Sequence, residues 1–209
     1  MDFITGLPLS KKGNDALLVV LDSTSKRIRL IPCNITVTAS SVAKLIFEHV
    51  VRNHGLPHTI LHDLDPRFVA KVWKVVWEMM GTYLIFTPSY HPISNSANER
   101  SHHVIEDALR SYVIEQDEWD EHIPAIEFTM NNHQNIDTGR TPFELDTGQH
   151  PLNPATVLMQ QQAPFNDMGV LHNWNQVQSK ALMRYTEAQE RRLKKINQNR
   201  VVPDFKKGD

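Results

Sequence analysis

The 209-residue chain is 40% hydrophobic and 22% charged, enough to bury one ordinary core, so one domain plus an appendage is expected. No run reaches the ~18 apolar residues of a membrane span, the N-terminus lacks a signal-peptide pattern, and the single cysteine, Cys33, excludes an internal disulfide and a cysteine-rich zinc site, all of which fits a soluble intracellular protein. The formal charge of −2 argues against a uniformly basic nucleic-acid binder, but from Arg184 to Asp209 eight Lys/Arg stand against four acids, a tail of +4 that leaves −6 for residues 1–183.

MDFIT at the start reads as a short strand, followed by two β-rich runs, ALLVVLD (16–22) and RIRLIPC (27–33), whose polar spacer suits a hairpin. In VTASSVAKLIFEHVVRNHG the apolar spacing predicts a helix with Val42, Leu45, Ile46, His49 and Val50 on one face and Gly55 as its stop. TILH (59–62) is a further strand. PRFVAKVWKVVWEMMG predicts a helix with Phe68, Val72, Val75, Val76 and Met79 inward, while Trp73 and Trp77 suit a core or a subunit interface; YLIF (83–86) is the fifth strand. A long helix over 97–115, with Val104, Ile105, Ala108, Leu109 and Tyr112 on its apolar face, precedes another over 119–132. Thr141 and Pro142 then supply the cap and first position of a short helix. The domain reading is a core over 1–150, a linker over 151–174 and a basic helical extension over 175–209. Strands joined by short polar spacers pair antiparallel, and strands separated by helices pair parallel. The predicted fold class is therefore α/β, a mixed five-stranded sheet with three antiparallel strands then two parallel, flanked by helices, with a C-terminal helical extension.

In ILHDLDPRF (60–68) Asp65 precedes a proline and suits a helix N-cap, but Asp63 has no such duty. With the first strand central and the later strands added beside it in parallel, Asp2 and the end of the fourth strand fall on neighbouring strands. Two carboxylates there repel, and a divalent cation such as Mg²⁺, which prefers hard oxygen ligands, resolves the repulsion. A third carboxylate is available in Glu99, with 35 residues between it and Asp63. Ser96 to Glu99 also satisfies a capping box, and the two roles are compatible.

Asp2 in MDFITGLP, Asp63 in HDLDPRF and Glu99 in YHPISNSANER resemble the Asp, Asp, 35 residues, Glu signature of retroviral and retrotransposon integrases. GLP at 55–57, YHP at 90–92 and TPFEL from 141 resemble in particular the integrases of gypsy-type long-terminal-repeat retrotransposons. The match covers residues 1 to about 150 closely and the rest loosely. The resemblance implies a ribonuclease-H-like fold and a Mg-dependent polynucleotidyl transferase that processes element DNA ends and joins them to target DNA. It implies Asp2, Asp63 and Glu99 as catalytic and metal-binding residues, two Mg²⁺ ions (or Mn²⁺), DNA as partner, a homo-oligomer, no membrane and a nuclear location. Arg100, His102 and His103 beside Glu99, and Arg191, Arg192, Lys194 and Lys195 in the tail, are candidate nucleic-acid contacts; a solvated helix face is the alternative for the tail.

The chain departs from the family pattern in several places. Members begin the first strand several residues earlier and carry zinc-binding His and Cys residues upstream, whereas here Asp2 is the second residue. His62 and Leu64 stand where Ser and Arg are common, and Ser96 and Ala97 where Gly and Gln are usual. VVPDFKKGD resembles the entry into the small β-barrel that follows the core in the family. These departures support an alternative, a decayed and inactive integrase fragment that at most binds nucleic acid or a protein partner. Among the other histidines, His58 and His62 have three residues between them, but a zinc site needs about four ligands and no cysteine pair completes one.

Overall fold

The computed structural model describes residues 1–86, 104–109 and 117–151, together with positions 180, 183, 184, 186–188, 190, 191 and 194. The chain divides into two compact units, Met1–Asn132 and His133–Asp209.

In the first unit β1 (Asp2–Ile4), β2 (Ala16–Leu21) and β3 (Ile28–Cys33) form an antiparallel sheet in that order, with Asp2 opposite Val19 and Ala16 opposite Cys33. β4 (Thr59–His62) and β5 (Tyr83–Phe86) form a parallel pair. The predicted class holds, α/β with three antiparallel strands followed by two parallel, but the five strands form two hydrogen-bonded ladders where one mixed sheet is predicted. The two ladders meet where the Met1 amino group donates to the Leu61 carbonyl at 2.7 Å. Side-chain alternation sends Ala16, Leu18, Ile31 and Cys33 into one core cluster, and Leu17, Val19, Ile28 and Leu30 into another on the opposite face. The first cluster is completed by the helices that follow β3 and β4, the second by the helical stretch 104–109 and by the helix after it. This makes a three-layer arrangement in which β2 is covered on both sides.

α1 (Ala39–Ile46) starts at Thr38, whose side chain accepts from the Ser41 N–H, and continues through a π-helical turn (Phe47–Val51) into α2 (Arg52–His54), which Gly55 ends at φ 80°. The π-helical turn adds a residue to the repeat, so the buried face runs Val42, Ile46, Val51, and His49 faces outward, contrary to a uniform helical period.

A second correction concerns the residues after β4. A single helix is predicted there, but α3 (Pro66–Val69) and α4 (Lys71–Met79) are separated at Ala70, which is extended at φ −59°, ψ 143°. In an unbroken helix residues 68 and 73 would point about 140° apart. The break lets Phe68, Trp73 and Trp77 enter one core, each at most 1% exposed, while Val72, Val75 and Met79 face outward.

α5 (Trp119–Asn132) lies against the open edge of β3. The Asn131 side chain donates to the Ile28 carbonyl (2.9 Å) and accepts from the Ile28 N–H (2.8 Å). Glu127 accepts from the Leu30 N–H (2.8 Å) and from Arg29 Nη1 (2.6 Å). Polar side chains thus occupy the β3 main-chain groups that could otherwise recruit another strand. On the helix predicted over 97–115, the described positions 104–109 are helical. Ile105 and Leu109 are buried as expected, and Val104 is exposed.

In the second unit Asn135 and Arg140 bridge across a turn, and a capping box between Thr141 and Glu144 starts α6 (Pro142–Thr147) with Pro142 in its first turn. The described positions between 180 and 194 are helical. Among the described residues no helix is long and apolar enough to cross a membrane.

Candidate active site

The site is built where β1 starts and β4 ends. Asp2 is the first residue of β1, and Asp63 directly follows His62, the last of β4. Both are half-buried. The Phe3 N–H donates to Asp2 Oδ1 at 2.8 Å, and the Asp65 N–H donates to Asp63 Oδ1 at 3.1 Å. The two acids are close enough to feel one another. Burial pushes the Asp63 carboxyl above the usual carboxylate range, and the negative charges of Asp2 and Asp65 add to that push, against the Asp65 N–H bond that opposes it. The Met1 amino group lies within the same field; burial lowers its affinity for a proton, and Asp2 and Asp63 counter that effect.

Asp65 of the DLD triplet takes the cap role that the sequence predicts. Asp65 caps α3, its Oδ1 accepting from the Arg67 N–H at 2.9 Å. Its two oxygens also accept from Arg67 Nε (2.7 Å) and Nη2 (2.6 Å). Hydrogen bonding to Arg67 holds the Asp65 carboxyl below its ordinary value, and the Asp65 pairing raises that of Arg67. Asp65 is therefore committed to a local ion pair and Asp63 is not.

His62 is 1% exposed, in contact with the rings of Phe68, Trp73 and Phe86 at centroid distances of 5.3, 6.5 and 4.9 Å. Its Nδ1 donates to the Asp63 carbonyl oxygen at 2.7 Å, and burial lowers the ring's pKa against the opposing pull of that bond. His62 thus orients the main chain of Asp63. His58 bonds Thr59 Oγ1 at 3.1 Å and packs against Tyr83. Among the described residues no group of three or more His, Cys, Asp or Glu side chains is gathered for a metal.

Glu99, Arg100, His102 and His103 lie outside the described residues, as do Arg192 and Lys195. Arg191 and Lys194 are exposed at helical positions; Arg191 bonds the Glu187 carbonyl at 3.3 Å and lies 3.8 Å from its carboxylate. Arg67 is the residue that sequence reasoning passed over. Its signal was an Arg two residues after an N-cap Asp, close enough for the side chain to fold back on the cap.

No protein-family model matches the chain. The Tf2-3 and Tf2-4 transposon polyproteins of Schizosaccharomyces pombe are each 33% identical over 156 residues, which is 74% of this chain and 11% of theirs. The chain thus spans about a tenth of the length of the curated relatives it matches. Among solved structures, the catalytic core domain of HTLV-2 integrase in complex with magnesium has a TM-score of 0.55 at 15% identity, covering 69% of this chain and 93% of that one. The catalytic core domain of BIV integrase has a TM-score of 0.54 at 18% identity, covering 70% and 93%. A simian T-cell lymphotropic virus intasome in complex with PP2A regulatory subunit B56 gamma has a TM-score of 0.58 at 15% identity, covering 79% and 56%.

Proposed function

We propose that the chain, which is similar to the Tf2 transposon polyproteins and shares the fold of retroviral integrase catalytic cores, is a metal-dependent polynucleotidyl transferase that processes element DNA ends and joins them to target DNA. The observation that carries this reading is the placement of Asp2 at the start of β1 and Asp63 after β4, where the Met1 amino group bonds the Leu61 carbonyl, with Asp65 engaged by Arg67.

The donor set fits a hard divalent cation. Both groups are carboxylates, both are half-buried, and the charge of one already disfavours ionisation of the other, a cost that a bound cation removes. Asp2 and Asp63, with Glu99 as third ligand, would hold Mg²⁺ or Mn²⁺. Two such ions, when bound, supply charge stabilisation for the attacking and leaving oxygens of an in-line phosphoryl displacement. The protein's part is placement. His62 and the Asp65 N–H fix the main chain and one oxygen of Asp63, and β1 fixes Asp2. Water is the nucleophile for end processing and a DNA 3′-hydroxyl for joining. Assembly with DNA and further copies of the chain belongs to the same reading, and the exposed Arg191 and Lys194 suit phosphate contacts.

The test is a strand-transfer assay with Mg²⁺ and a short duplex bearing the element's own ends. Wild type is expected to give joined product, and Asp63→Asn and Glu99→Gln are expected to give none. Product formed equally well by Asp63→Asn would overturn the assignment. A wild type that binds the duplex and joins nothing would leave the inactive-fragment reading.

A further inference from the structure

β1 and β4 lie in different ladders, so strand pairing does not by itself set the separation of Asp2 from Asp63. A different connection spans them. The Arg67 guanidinium carbon lies 3.6 Å from the centroid of the Phe3 ring. Nε and Nη2 of the same group bind both oxygens of Asp65, and Nη1 donates to the Ile35 carbonyl at 3.2 Å. Phe3 is in turn stacked on Phe68, at 5.3 Å and 23° between planes. Each end of this chain of contacts is one hydrogen bond from a candidate metal ligand: the Phe3 N–H holds Asp2 Oδ1, and the Asp65 N–H holds Asp63 Oδ1. The Arg67 side chain is only 14% exposed. Its nitrogens are engaged with protein acceptors, which suits a brace and not a contact to DNA.

We propose that Arg67 is a positioning residue, clamping β1 to the β4–α3 turn through Phe3 and Asp65 so that Asp2 and Asp63 are held at the spacing a divalent cation requires. This rests on the reading of Asp2 and Asp63 as metal ligands. Arginine is needed because one planar group must bind a carboxylate at two points while its carbon sits over a ring; lysine has no such fork. Residues that orient a metal ligand through hydrogen bonds typically matter about 10- to 100-fold in metal affinity.

The experiment measures Mn²⁺ binding to the full 209-residue chain by the loss of the free Mn²⁺ electron paramagnetic resonance signal, at a temperature where near-ultraviolet circular dichroism shows each variant folded. Wild type is expected to bind and Asp63→Asn to bind far more weakly. Arg67→Lys and Phe3→Leu should each weaken binding about tenfold or more. Asn131→Ala, which loosens α5 from β3 away from the site, is the control for general destabilisation and should leave the affinity unchanged. If wild type binds no Mn²⁺, or Asp63→Asn binds as well as wild type, the metal-site reading itself fails. If those two behave as expected while Arg67→Lys and Phe3→Leu stay within about twofold of wild type, the metal site stands and the brace is refuted. An equal loss in Asn131→Ala refutes it too, because affinity then follows stability and not placement. Should Arg67→Lys fail to fold, Phe3→Leu, which keeps the Arg67–Asp65 pair and an apolar contact, decides alone.

Discussion

Replacing Asp65 with Ala removes the N-cap of α3 and the carboxylate of the Arg67 pair together. Loss of a cap costs about 1 kcal/mol. An exposed ion pair contributes at most about 1 kcal/mol, whereas breaking a buried one costs about 3–5 kcal/mol. With side-chain exposures of 17% for Asp65 and 14% for Arg67, the pair stands nearer the buried limit, but Arg67 keeps the Ile35 carbonyl and the Phe3 ring. About 2 kcal/mol is therefore expected from the pair. Since cap and pair share one carboxylate, the total should fall at about 2–3 kcal/mol. Asp65→Asn retains a cap acceptor without the charge and should lose about half of that. Urea unfolding followed by tryptophan fluorescence reads the loss directly, because Trp73 and Trp77 lie in the core that α3 joins. The pH dependence has a definite sign. Hydrogen bonds from Arg67 hold the folded carboxyl low, so its contribution is complete above the unfolded-chain value of about 3.9 and is lost as the pH falls through the lower folded value. The gap between wild type and Asp65→Ala should hold from neutrality to about pH 4 and narrow below it. A loss under about 0.5 kcal/mol at pH 7, or a gap unchanged at the acid end, would refute the account of Asp65 as a cap and ion-pair partner.

Three further outcomes follow from the same contacts. Burial and the Asp2 charge raise the folded pKa of Asp63, so its ionisation costs stability above that value and costs nothing below the unfolded one; metal-free Asp63→Asn should unfold at or above the wild-type temperature at pH 7, and only wild type should gain from Mg²⁺. A lower unfolding temperature for the variant would make Asp63 a structural acid. Burial pushes the Cys33 thiol up to about 11, so a disulfide reagent at pH 8 should label it only after denaturant is added; rapid labelling of the native chain would contradict its burial in the first core cluster. Neutralising Arg191, Arg192, Lys194 and Lys195 should weaken duplex binding about equally for all sequences and flatten its salt dependence, and an unchanged slope would return the tail to a solvated helix face.

What the sequence made legible was local in origin. Apolar, β-rich runs located β2 and β3, caps at Asp65 and Thr141 located two helix starts, and the cap role of Asp65 followed from the proline at 66. Reading the facing of the helices required a constant phase, and there the structure departs from the sequence pattern. The π-helical turn at Phe47–Val51 moves the buried position from His49 to Val51, and the break at Ala70 turns α4 so that Trp73 and Trp77, not Val72 and Val75, go inward. The physical reason at Ala70 is one of area: two buried indoles remove far more apolar surface from water than the two valines left outside, enough to offset one interrupted helical turn. Arg67 was hidden for a different reason. Its partners are Asp65, Ile35 and Phe3, and only the first is near in sequence. A pattern search finds Asp2 and Asp63; it does not find the Arg67 guanidinium placed between their strands, because that placement exists only after β1, α1 and α3 have packed around one core.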